Sequence, residues 1–271
     1  MKQKLIAFIG AGNMSRAIIL GLLNSSYPAD KIIAANPSNA KLEPLAQLGV
    51  KTTNDNRFAA EAADVVVLAV KPQLMATACA DLFDLDFSDK LVISIAAGIS
   101  VQRLHQLLPS AVAVIRVMPN TPSLLSIGMA GLFANQKCGL EQRTFAAELM
   151  QSVGEICWVE QESDINTVIA ASGSSPAYFF LFLEAMQQQI IAMGLDKITA
   201  RTLIQQAMLG AAKMVIENPQ TELATLREQV TSKGGTTAAA LQVFQQQHLD
   251  EIIAEAMQAV VARAQEMESL F

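Results

Sequence analysis

The chain has 271 residues, 52% of them hydrophobic and 16% charged, with a formal net charge of −6. That composition can bury one large core or two modest ones, and its acidic balance excludes non-specific binding to nucleic acid or to an anionic membrane surface, both of which want a basic field. The three cysteines, Cys79, Cys138 and Cys157, are odd in number and widely spaced. They make neither a disulfide framework nor a zinc motif and fit a reduced, cytoplasmic protein.

The N-terminus opens with Lys2-Gln3-Lys4 and then turns apolar, which has the outline of a signal peptide. The apolar stretch over residues 5–10 is short, and Asn13 and Arg16 interrupt the chain just beyond it, so the segment reads as a first β-strand. No uninterrupted apolar run reaches a membrane span, so no membrane association is expected. Apolar and β-branched runs predict strands over 4–9, 31–35, 65–70, 91–95 and 113–117. Between them, helical periodicity covers 14–23, 40–48, 75–82 and 101–108. Strands separated by helices make βαβ units and a parallel sheet covered on both faces. Residues 128–133 and 155–159, with a helix over 141–152, extend that sheet.

After Trp158 the composition shifts, and no strand is expected from Asp164 onward. Helical patterns cover 164–193, 199–217, 222–230, 236–248 and 250–267. Asn218-Pro219 stops one of them, and Thr221 is placed to cap the next. The fold class expected is α/β, with an N-terminal Rossmann-type parallel sheet over 1–162 and a C-terminal all-α segment over 163–271. Ala177-Tyr178-Phe179-Phe180-Leu181-Phe182-Leu183 is apolar around the whole helix, the mark of a buried helix. In a segment of roughly a hundred residues not every helix can be central. The helical segment is therefore expected to build a homodimer with that helix at its centre, a mass that sedimentation equilibrium reads directly.

The first strand leads into Gly10-Ala11-Gly12-Asn13-Met14-Ser15. A dinucleotide fingerprint wants Gly-x-Gly-x-x-Gly between a strand and a helix. Gly10 suits the tight turn and Gly12 the close approach of a pyrophosphate; Ser15 stands where the third glycine is usual. At the end of the second strand, Ala35-Asn36-Pro37-Ser38-Asn39 has no carboxylate for the ribose hydroxyls of NAD. Neutral polar groups accept a 2′-phosphate without repelling it, so NADPH is expected over NADH. Lys41 either adds charge there or is a solvated helix residue. Ala69-Val70-Lys71-Pro72-Gln73 and Ala96-Ala97-Gly98 also come directly after strand ends, where open α/β sheets bind ligands. Lys71 is read either as a cofactor contact or as a surface cation. Met118-Pro119-Asn120-Thr121-Pro122 makes a stiff turn in which Asn120 contacts the nicotinamide end or braces the turn.

Two further segments lie in the helical part. Ala171-Ser172-Gly173-Ser174-Ser175-Pro176-Ala177 interrupts or opens a long helix. Val230-Thr231-Ser232-Lys233-Gly234-Gly235-Thr236-Thr237 feeds backbone N–H groups into a helix N-terminus, a geometry suited to a small anion. Two anion cradles in one chain suggest a cofactor site and a site for a small carboxylate.

Together these segments resemble pyrroline-5-carboxylate reductase over nearly the whole chain. The resemblance rests on Phe8-Ile9-Gly10-Ala11-Gly12-Asn13-Met14, Ala69-Val70-Lys71-Pro72, Arg116-Val117-Met118-Pro119-Asn120-Thr121-Pro122, Ser172-Gly173-Ser174-Ser175-Pro176-Ala177-Tyr178 and residues 230–241, the last being the most specific. It implies reduction of 1-pyrroline-5-carboxylate to proline, the final step of proline synthesis, with NADPH or NADH. It implies a Rossmann domain joined to a helical domain that interlocks with its twin, dimers that assemble into larger rings, and an active site that can draw its halves from different subunits. The cofactor contacts it implies are Ile9, Gly10, Ala11, Gly12, Asn13, Met14, Asn36, Ser38, Asn56, Ala69, Val70, Lys71, Pro72, Ala97 and Gly98. The substrate carboxylate is implied against Ser232, Gly234, Gly235 and Thr236, with Thr237 facing the ring nitrogen. Ser15, Ser175 and Lys233 depart from the family's pattern.

The residues suit that reaction on their own terms. A cyclic imine is easily protonated and the iminium accepts hydride readily, so positioning matters more than a strong acid. The only histidines, His105 and His248, lie outside every motif and are expected at the surface. No metal spacing or nucleophilic triad is present. Thr237 is the candidate catalytic residue, orienting the imine nitrogen; the alternative is a threonine capping its own helix. A β-hydroxyacid dehydrogenase wants a basic lysine on the first helix of the second half, and residues 164–193 contain none. A related imine reductase and a non-catalytic NADP-sensing regulator remain as alternatives, and NADPH absorbance in the presence of pyrroline-5-carboxylate separates all three.

Overall fold

The computed structural model describes residues 2–270. Eight strands among them form one sheet: β1 (Ile6–Ile9), β2 (Ile32–Ala35), β3 (Lys51–Thr53), β4 (Val65–Leu68), β5 (Leu91–Ser94), β6 (Ala113–Met118), β7 (Gly128–Ala134) and β8 (Gly154–Trp158). Their order is β3-β2-β1-β4-β5-β6-β7-β8. All neighbours run parallel except β6 and β7. Helices α1 (Asn13–Asn24), α2 (Asn39–Ala46), α3 (Asn56–Ala62), α4 (Met75–Ala80), α5 (Val101–Leu107) and α6 (Leu140–Gln151) alternate with these strands.

The strand residues divide by parity between two cores. Ile6 and Phe8 pack in one cluster with Ile18, Ile19 and Leu22 of α1 and Phe145 and Leu149 of α6. Ala7 and Ile9 pack in another with Met75 of α4 and Leu104 of α5. A sheet buried on both faces needs apolar residues at every position, which is why Val65-Val66-Val67-Leu68 shows no polar alternation. The same reasoning explains what the sequence did not reveal. β3 is Lys51-Thr52-Thr53, a mostly exposed three-residue edge strand with no apolar signal. α3 is a further element that the sequence pattern does not disclose, although Asp55 caps it by accepting the Phe58 N–H at 3.0 Å.

The helical part begins with α7 (Asp164–Val168) and a π-helical turn over Ile169–Gly173, then α8 (Ser175–Ala192). The helical pattern over 164–193 is thus interrupted at Ala171-Ser172-Gly173, one of the two readings of that segment, where the Ser174 N–H reaches back to the Ile169 carbonyl at 2.8 Å. α9 (Lys197–Glu217), α10 (Leu223–Gln229), α11 (Thr236–Gln246) and α12 (Leu249–Leu270) complete the chain. Asn218 ends α9 just before Pro219, as expected. Thr221 does not cap α10; the cap position is Glu222, and the Thr221 N–H closes a turn onto the Asn218 carbonyl at 3.0 Å.

The chain forms two compact units, Met1–Pro176 with Ala259–Phe271, and Ala177–Gln258. These units do not follow the segment boundary at residue 162. Ile165 and Ile169 pack with Ala264 and Val260 against Met118 and Phe133, which fastens α7, the π-helical turn and the end of α12 to the first unit. In the second unit, α8 exposes Phe180 at 66% and Leu181 at 67%. Apolar side chains this exposed and this numerous call for a partner surface. The helical stretch Asp164–Ala192 is also long and apolar enough to cross a membrane by length and composition, although it is not an uninterrupted apolar run. Glu184 and Gln187-Gln188-Gln189 interrupt it.

Candidate active site

β1 lies between β2 and β4, so the order of strands reverses at its carboxyl end, and ligand crevices open at such a point. Ile9 is buried in β1 and Gly10 comes directly after it. Gly10 holds φ at +103°, and a Cβ there would come 2.8 Å from the Ala69 carbonyl oxygen. Only glycine fits both the conformation and the closeness of the β4 loop. Gly12 differs: its φ is −81°, and a Cβ would meet nothing within 4 Å. It caps α1 without a side chain, and the first turn of α1 carries no acidic residue. Asn13 is exposed and Met14 half-buried at this end. Uncapped N–H groups facing open space fit a pyrophosphate.

Ser15, at the place of a third glycine, is fully buried and donates its hydroxyl to the Gly10 carbonyl at 2.6 Å. The departure from the fingerprint thus stitches the turn to the helix it feeds. Asn36 is buried at the end of β2. Its Oδ1 accepts the Ala11 N–H at 3.2 Å and its Nδ2 donates to the Ser38 carbonyl at 3.3 Å, so the side chain braces the glycine turn after β1 against the loop after β2. Asn54 is not singled out by the sequence, which gives it no signal beyond its place after β3. Its Nδ2 donates to the Asn36 carbonyl at 2.9 Å and to Asn39 Oδ1 at 2.8 Å, which holds that loop from outside. Asn56 opens α3, half-buried, with Nδ2 3.4 Å from the Ala78 carbonyl.

Ala69 and Val70 are half-buried beside the Gly10 turn, and Lys71 is exposed ahead of a 3₁₀ turn over Pro72–Leu74. Ala97 is half-buried and Gly98 buried after β5. Asn120 spends both ends of its amide on backbone: Nδ2 donates to the Ser172 carbonyl at 3.0 Å and Oδ1 accepts the Met129 N–H at 2.9 Å. Bracing is its visible role.

In the second unit, Gly234 has φ +70° and Gly235 caps α11 without a side-chain bond or an acidic first turn. The Gly235 N–H bonds the Ser232 carbonyl at 3.0 Å. A Cβ on Gly235 would fall 2.3 Å from Ser232 Oγ, so Ser232 folds over a place only glycine leaves free. Ser232, Thr236 and Thr237 lie outside the core of the single chain, with Gly234 exposed and Gly235 half-buried between them. Thr237 is the second residue of α11 and not its cap.

The remaining reactive groups stand aside. Burial pushes the Cys79 thiol up to about 12 and raises those of Cys138 and Cys157, which keeps all three protonated. His105 and His248 are exposed, and His248 lies 3.4 Å from Glu251. No group of three metal-ligating side chains occurs among the described residues.

Residues 162–267 match the family model described as pyrroline-5-carboxylate reductase dimerisation, and residues 5–98 match that of NADP oxidoreductase, coenzyme F420-dependent. A pyrroline-5-carboxylate reductase from Vibrio alginolyticus is 61% identical over the full length of both chains. The structure of a pyrroline-5-carboxylate reductase from Coxiella burnetii aligns with a TM-score of 0.92 at 42% identity, covering 98% of this chain and 99% of that one. That of Plasmodium falciparum pyrroline carboxylate reductase with NADP bound aligns with a TM-score of 0.87 at 25% identity, covering 99% of each.

Proposed function

The chain belongs to the pyrroline-5-carboxylate reductase family, and from that premise we infer that it reduces 1-pyrroline-5-carboxylate to L-proline by hydride transfer from NAD(P)H, the last step of proline synthesis. The observation that carries this reading is a pair of uncapped, acid-free helix N-termini behind glycine turns, at Gly12 and at Gly235. One suits a pyrophosphate and the other a carboxylate.

NADPH supplies the hydride when bound. The new C–H bond forms at the imine carbon, the π electrons of the C=N bond move to nitrogen, and the iminium proton stays there as the amine forms. The protein's work is to hold and orient. The N–H groups behind Gly10, Ala11, Gly12, Asn13 and Met14 receive the pyrophosphate, and Asn36, Ser38 and Asn56 form the ribose edge. Ala69, Val70, Lys71, Pro72, Ala97, Gly98 and Asn120 shape the rest of that crevice. Ser232, Gly234, Gly235 and Thr236 take the substrate carboxylate. Thr237 accepts or donates at the ring nitrogen and fixes which face of the imine is presented. Thr237→Ala is expected to lower kcat about tenfold or more, the scale of one hydrogen bond at a reacting atom. Steady-state kinetics at saturating NADPH check it, and a parent-like kcat removes Thr237 from the reaction.

NADPH is the preferred donor in this reading, because Asn36-Pro37-Ser38-Asn39 offers a 2′-phosphate neutral polar groups and no carboxylate. kcat/KM is expected to favour NADPH over NADH by about tenfold, or roughly 1.4 kcal/mol. A preference for NADH would defeat this assignment. Residues 1–162 serve the cofactor, and residues 163–271 serve the substrate and dimerisation. The exposed apolar face of α8 supports a homodimer through that segment, and dimers are taken to assemble into a ring. The same demand accounts for the apolarity of Asp164–Ala192, which lies within the dimerisation match, without a membrane. The three free cysteines fit a reducing compartment, which supports a cytoplasmic reaction.

A further inference from the structure

Arg116 heads the largest fully buried side chains of the described residues, 2% exposed in the middle of β6. Its Nη1 donates to Glu162 Oε1 at 2.7 Å and to Glu268 Oε1 at 3.1 Å, while Nη2 is buried with no partner. Such a triad is a weak source of stability, since apolar residues of equal volume often serve as well. What it supplies is fixed geometry, and here the geometry converges on one loop. Glu162 Oε1 also accepts the N–H of Val101 at 2.7 Å, the residue that opens α5 directly after the loop over residues 96–100. Met267, next to Glu268, lies against that loop at Gly98. A Cβ on Gly98 would come 2.7 Å from Met267 Cβ, and Gly98 holds φ at +69°.

We propose that Arg116 is a positioning residue for the cofactor: through Glu162 and Glu268 it clamps loop 96–100, so that the end of α12 sets how well Ala97 and Gly98 receive NADPH. This rests on the reading that those two residues line the cofactor. Glu268 touches neither cofactor nor substrate in that reading, so its effect travels only through the loop.

The test uses the full-length protein and NADPH alone, with binding read by fluorescence titration. Glu268→Ala is expected to raise the Kd for NADPH about fivefold to tenfold, the cost of a small misplacement of a binding group. kcat at saturating NADPH and the KM for pyrroline-5-carboxylate stay within about twofold. Glu268→Gln keeps an oxygen for Arg116 and is expected to recover most of the affinity. A role in stability alone would lower the melting temperature and the active fraction while leaving Kd unchanged, and that result overturns the proposal. If Glu268→Ala does not fold, Glu162→Ala frees the Val101 N–H that ends the loop and decides in its place by the same Kd criterion. Hydrogen exchange of residues 95–101 in the unaltered protein tests the underlying reading separately. Protection by NADPH with an unchanged Glu268→Ala Kd sinks the clamp alone, and no protection sinks the assignment of Ala97 and Gly98 with it.

Discussion

Replacing Gly12 by valine weakens NADPH binding about a hundredfold, or about 2.7 kcal/mol, while the protein still folds and melts within about 2 °C of the parent. The reason is that Gly12 is a glycine the fold does not need. Its φ of −81° and ψ of −176° are open to any L-residue, and a Cβ there meets no atom within 4 Å. The space it leaves lies at the uncapped start of α1, where a pyrophosphate has to come close to the backbone. A valine side chain fills that space and nothing else. Gly10 offers no such separation, because a Cβ there would press on the Ala69 carbonyl in a left-handed backbone conformation, and any loss of binding would be mixed with damage to the turn. Fluorescence titration with NADPH beside a thermal melt checks the prediction. A folded Gly12→Val protein with parent-like affinity would mean that the pyrophosphate lies elsewhere.

The second large effect is expected at Gly235. With φ −82° and ψ 173° the backbone is unstrained for alanine, so the consequence is steric. The added Cβ would fall 2.3 Å from Ser232 Oγ and 3.1 Å from the Ser232 carbonyl oxygen. Ser232 has to swing away, which removes its hydroxyl and disturbs the N–H groups of the cradle. Loss of a hydrogen bond to a carboxylate, about 2 kcal/mol, raises the KM for pyrroline-5-carboxylate about thirtyfold, with the Kd for NADPH unchanged. Ser232→Ala combined with Gly235→Ala removes the worst clash and is expected to restore part of the affinity. Equal KM values in the single variant and the parent would show that the carboxylate is held by other groups.

These two glycines illustrate how much of the site can be read along the chain. Both turns stand out because a glycine pair between an apolar strand or helix and the next helix is a local pattern, complete within about eight residues. Ser15 shows the limit of that reading. As a letter it is a departure from a fingerprint; in three dimensions its hydroxyl holds the Gly10 carbonyl. Asn120, which the sequence reads either as a nicotinamide contact or as a brace for its turn, has both amide ends bound to backbone. Thr221, expected as a helix cap, instead closes the preceding turn.

The identity of every strand but β3, the βαβ alternation, the two glycine turns and the apolar helix at Ala177 to Leu183 were determined by the sequence itself, because each depends on neighbours within a few turns of chain. The tertiary structure alone decided which side chains meet across distance. It placed Asn54 behind Asn36, brought the end of α12 to Gly98, and joined Arg116 to Glu268, 152 residues away. Periodicity carries no information about such pairs: a buried arginine in a strand looks like an interruption until the topology delivers its carboxylates.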